Sequence, residues 1–76
     1  MKNLTYRELT YILRKLGCYE LERKGGGSHR KWYNPNTGRS TIIPDWSKRP
    51  LKKGTVNAII KQLLIDKDQF LSLLED

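Results

Sequence analysis

The sequence predicts an α+β fold: a three-stranded antiparallel sheet with helices on one face and a short extra C-terminal helix. Two observations predict it. Apolar residues recur at helical spacing towards both ends of the chain, and the middle breaks into short alternating or β-branched runs separated by glycine and proline. With 76 residues the chain reads as a single domain, 1–76. A chain of this length buries only ~60–65% of the surface it exposes when unfolded. Each element therefore has to contribute to one small core.

The first helix is expected from about Thr5 to Leu16. Thr5 and Glu8 have capping-box spacing, and Leu9, Ile12, Leu13 and Leu16 share a face. Arg14 and Lys15 suit the negative end of the helix dipole, and Gly17 supplies a left-handed stop. Cys18 to Lys24 alternates apolar and charged residues and reads as the first strand, broken by Gly25-Gly26-Gly27. Ser28 to Tyr33 is the second strand. Asn34-Pro35-Asn36-Thr37-Gly38 is a turn, with proline fixing φ early and glycine free to take positive φ late. Arg39 to Ile43 is the third strand, stopped by Pro44. After a basic, Trp-containing loop, a second helix runs from Lys52 or Lys53 to Leu64 on the stripe Val56, Ile59, Ile60, Leu63 and Leu64. A short third helix follows Asp66, its expected cap. Short connections imply a meander, and two amphipathic helices on one sheet face leave the other face open.

Charge narrows the functional classes. The net charge is +7, and the stretch Arg23 to Lys53 holds nine basic residues against one acid, Asp45. The excess sits in the middle of the chain, a pattern that attracts polyanions, nucleic acid first. Cys18 is the only cysteine, so there is no disulfide, and one Cys with one His cannot build an ordinary zinc site. No cofactor and no metal are implied. No apolar run approaches the ~20 residues that cross a bilayer, and no signal-peptide core is visible. A cytoplasmic, membrane-free protein is expected.

The sharpest local feature is Lys24-Gly25-Gly26-Gly27-Ser28-His29-Arg30-Lys31. Glycines let a backbone approach a phosphate and offer its N–H groups. The Gly-Lys-Ser/Thr ending of a nucleotide-binding loop is missing. His29, the only histidine, follows this turn among cations. Imidazole is the side chain whose ordinary titration lies near neutral pH, and basic neighbours can hold a phosphodiester against it. These are the parts for metal-independent RNA cleavage by the substrate's own 2′-OH. The same residues also fit a surface histidine on a phosphate contact, and the triplet also fits a plain hairpin turn. A two-metal nuclease needs clustered carboxylates, and the basic segment has only Asp45. Adjacent Ser28 and His29 point to opposite faces of a strand, which argues against a Ser-His-Asp hydrolase. Trp32, Tyr33 and Trp46 interleave with the cations and could stack on bases, with at least one Trp expected in the core.

The run Gly27-Ser28-His29-Arg30-Lys31-Trp32-Tyr33-Asn34-Pro35, the strand Thr41-Ile42-Ile43-Pro44 and the segment Leu51-Lys52-Lys53-Gly54-Thr55 together resemble the HicA mRNA interferase toxins. The resemblance covers nearly the whole chain and is weakest after Ile65. It implies an α-β-β-β-α fold like the double-stranded-RNA-binding domain. It also implies cleavage of single-stranded or structured mRNA, and neutralisation by a HicB-like antitoxin protein that covers the active site. By match to Gly-Ser-His, the catalytic histidine is His29. The residues expected to hold RNA are Lys24, Gly27, Ser28, Arg30, Lys31, Lys52 and Lys53. A non-catalytic RNA-binding domain of the same fold is the alternative.

Overall fold

A computed structural model describes residues 3–22 and 28–75. The element order is α1 (Tyr6–Lys15), β1 (Tyr19–Glu20), β2 (His29–Asn34), β3 (Arg39–Pro44), α2 (Lys53–Gln62) and α3 (Lys67–Glu75). This is the expected α+β order. The strands form one antiparallel sheet in the order β1-β2-β3. None of the described helices is long and apolar enough to cross a membrane.

Local chemistry sets the helix ends. Thr5 caps α1: the Glu8 N–H donates to Thr5 Oγ1 at 3.2 Å, and the Thr5 N–H donates to Glu8 Oε1 at 3.0 Å. Gly17, at φ +92°, turns the chain out of α1, while the Cys18 N–H returns to Leu13 O at 2.9 Å. That 6→1 bond is the Schellman closure. Asp66 caps α3 by accepting from the Asp68 and Gln69 N–H groups at 2.9 and 3.2 Å. α2 closes in the same way as α1, with Ile65 N–H on Ile60 O, but its left-handed residue is Leu64, at φ +53°.

The strand register divides the sheet into two faces. Glu20, Trp32 and Thr41 lie side by side, as do Arg30 and Ile43. On this face Trp32, Asn34, Thr41 and Ile43 are buried. Trp32 and Ile43 join Leu9, Ile12 and Leu13 of α1, Val56, Ile59 and Ile60 of α2, Leu63 at its C-cap, and Phe70 of α3 in one apolar cluster. Trp32 Nε1–H donates to the Tyr6 hydroxyl at 2.9 Å, and the Thr41 hydroxyl bonds the Gln62 carboxamide. The helices thus cover this face. Tyr19, Tyr33 and Ser40 lie side by side on the other, as do Lys31 and Ile42, and His29 and Pro44.

One element departs from expectation. β1 is two residues long, where alternation predicts a strand from Cys18 to Lys24. An edge strand pairs on one side only, and among the described residues beyond Glu20 the Leu21 N–H bond to Lys31 O at 2.9 Å continues the ladder. Arg23 and Lys24 lie outside the described residues.

Candidate active site

His29 opens β2 at the sheet's edge of regular pairing, directly opposite Pro44. Proline has no N–H to donate, and none is needed at this pair, because antiparallel pairs alternate and the bond falls one residue further on, between Asp45 and Ser28. The flanking backbone is tied down from one residue. The Asp45 N–H donates to Ser28 O at 2.6 Å, and Asp45 Oδ2 lies 3.1 Å from Arg30 Nε. Asp45 therefore holds the residues on both sides of His29. It pairs with Arg30 and takes no part in a Ser-His-Asp arrangement with His29.

Arg30 is where the structure sharpens the reading of the basic run. Strand alternation puts it on the face opposite His29 and Lys31. There its Nη1 is 3.3 Å from Glu20 Oε2, and its guanidinium lies over the Tyr6 ring at 5.7 Å. Partial burial opposes the charge, but the Glu20 hydrogen bond and the oxygens of Tyr6, Glu20 and Asp45 outweigh it and raise the Arg30 pKa. The guanidinium is thus engaged inside the fold. Sequence reasoning had no signal for this, because Glu20 and Asp45 are distant along the chain.

On the open face His29 and Lys31 are both exposed, one alternation apart, ~6.7 Å along the strand. Tyr33 follows one alternation later. Its ring meets that of Tyr19 edge to face, with centroids 5.6 Å apart. The sequence alone does not single out Tyr19, because only the register brings it beside Tyr33. Of the other aromatics, Trp32 is fully buried. Trp46 packs partly against the core, with the Arg49 guanidinium 5.0 Å from its ring.

Ser28 is exposed just before β2. Lys52 and Lys53 are exposed at another element, the start of α2, where Lys52 makes no side-chain cap and the first turn has no acid. Cations at the positive end of a helix dipole are locally unfavourable, and an anion there would relieve them. Lys24 and Gly27 lie outside the described residues. Among the described residues no group of three or more His, Cys, Asp or Glu could hold a metal ion.

No curated protein matches the sequence. A family model described as the HicA toxin of bacterial toxin-antitoxin systems matches residues 6–65, which run from the start of α1 past the end of α2 and include the sheet and His29. That match covers most of the chain, and the chain accordingly belongs to the HicA toxin family.

Proposed function

We propose that this toxin is a metal-independent endoribonuclease that cuts mRNA in the cytoplasm, with His29 as its proton-transfer group. The observation that carries the reading is an exposed, sole histidine at the start of β2, with Lys31 beside it on an open sheet face. In the reaction His29 takes the proton of a ribose 2′-OH, and that oxygen attacks the adjacent phosphorus. The bond from phosphorus to the 5′ oxygen breaks, leaving a 2′,3′-cyclic phosphate and a 5′-hydroxyl. The 5′ oxygen gains its proton from a second donor, for which Lys31 and water are at hand. Lys31 also offsets charge on the phosphorane, a contribution often larger than proton transfer itself.

Ser28, with Gly27 and Lys24 before it, would present the phosphate to His29. Lys52 and Lys53 would hold the backbone further along. Arg30 acts through the fold: with Glu20 and Asp45 it fixes the strand that carries His29. A HicB-like antitoxin would neutralise the toxin by covering the His29 face. The test is cleavage of RNA by purified protein in EDTA, with end-group analysis. Products ending in 2′,3′-cyclic phosphate are expected. RNA left intact, or products with 5′-phosphates, would refute the mechanism. Salt-sensitive binding without cleavage would leave an RNA-binding domain of the same fold.

A further inference from the structure

The open face carries more than His29. Tyr19 is 46% exposed and Ile42 is 49% exposed, and such side chains grouped on one face of a small protein mark a contact surface. The Tyr19 and Tyr33 rings meet at 69°. In an edge-to-face pair, the ring that gives its edge keeps both π-faces free. Lys31 stands between His29 and Tyr33, two residues from each, so the three form a row ~13 Å long on one strand. None of the described residues that the register puts on this face is acidic.

We infer that this row is a track for unpaired RNA, in which Lys31 meets the backbone between the scissile phosphate at His29 and a base stacked on the Tyr19–Tyr33 pair. The inference rests on the ribonuclease reading. A row with a cation and aromatic rings but no acid complements a polyanion that carries flat bases. Every base has a π-face, so the stack tolerates sequence. A duplex shuts its bases inside its own stack, so single strands and loops are the preferred substrates. The base on the rings lies a few nucleotides from the cut, which makes the platform a positioning device and leaves the chemistry to His29.

The test uses two substrates: a dinucleotide, too short to span the row, and a longer single-stranded oligonucleotide. Tyr19→Leu and Tyr33→Leu should lose roughly tenfold or more in kcat/KM on the oligonucleotide and keep wild-type activity on the dinucleotide. Tyr19→Phe and Tyr33→Phe should behave as wild type, since the ring is retained. Equal losses on both substrates, or none on the oligonucleotide, would overturn the inference. A second measurement needs no variant. Wild-type protein irradiated with a 5-bromouridine-substituted oligonucleotide should form adducts at Tyr19 or Tyr33, and adducts confined to other residues would overturn the track. If no RNA is cut but the adducts form, the ribonuclease reading fails and the track stands as a binding surface. If the Leu variants keep full RNA activity and lose only antitoxin binding, the face belongs to a protein partner and the inference is wrong.

Discussion

Cys18 illustrates how much one residue's surroundings decide. It follows the Gly17 turn, and it is 3% exposed. Burial pushes its thiol pKa above the ordinary 9.0. Burial likewise raises the Tyr6 phenol above 10.0, although the hydrogen bond from Trp32 works against it. Both groups are held in their neutral forms by the fold. A raised folded-state pKa means that the associated stability is fully present below the ordinary value and is lost as pH rises through the folded value. Urea unfolding should therefore show stability falling from about pH 9 upwards. Cys18→Ala together with Tyr6→Phe should flatten that fall, and an unchanged slope would contradict the assignment. A thiol reagent at neutral pH should label Cys18 only as fast as the chain opens. At this scale the sequence shows which residues are present but not their partners. The charge run names Arg30 as a phosphate contact. Only the fold shows Glu20 and Asp45 already on its guanidinium.

At the scale of elements, the turn between β2 and β3 does more than reverse the chain. Gly38 takes φ +74°, as the Asn-Pro-Asn-Thr-Gly pattern requires, and its N–H donates to Asn34 O at 2.8 Å. The turn's side chains then satisfy helix carbonyls. Asn34 Nδ2 and Thr37 Oγ1 donate to Leu63 O at 2.9 and 3.0 Å, and Asn36 Nδ2 donates to Leu16 O at 3.3 Å. One hairpin turn thus closes the C-terminal ends of both α1 and α2. Asn34 is buried, and removing its amide takes one of the two donors from Leu63 O and the side-chain acceptor from the Asn36 N–H. Asn34→Ala should cost about 1–3 kcal/mol, read as a lower urea midpoint at unchanged slope, and a loss below about 0.5 kcal/mol would show the bonds to be incidental. Helix starts were legible, because Thr5–Glu8 and Asp66 are local signals. The closure of α2 was not, because it rests on residues ~30 positions away and on Leu64 in a conformation that ordinarily favours glycine.

For the whole molecule, the family match ends at residue 65, yet the core does not. Phe70 of α3 is fully buried among the residues of α1, α2 and the sheet. In so small a chain every element closes the core, so Phe70→Ala should destabilise by about 3–5 kcal/mol and abolish activity by unfolding. A stable Phe70→Ala protein would show α3 to be an appendage. The architecture was legible as a whole because periodicity and turn residues agreed on it. The two faces of the sheet were legible only in part. Strand alternation is a local rule that groups His29 with Lys31, but the β1 register that adds Tyr19 pairs it with Tyr33, a residue well along the chain.

The central claim is that His29 moves the proton in RNA cleavage, and the most direct measurement is single-turnover cleavage by wild type and His29→Ala in EDTA. Positioned proton transfer contributes about 10²–10⁴-fold, so the variant should be slower by at least about 100-fold with RNA binding and thermal stability unchanged. A folded His29→Ala protein that cuts RNA at the wild-type rate would contradict the account.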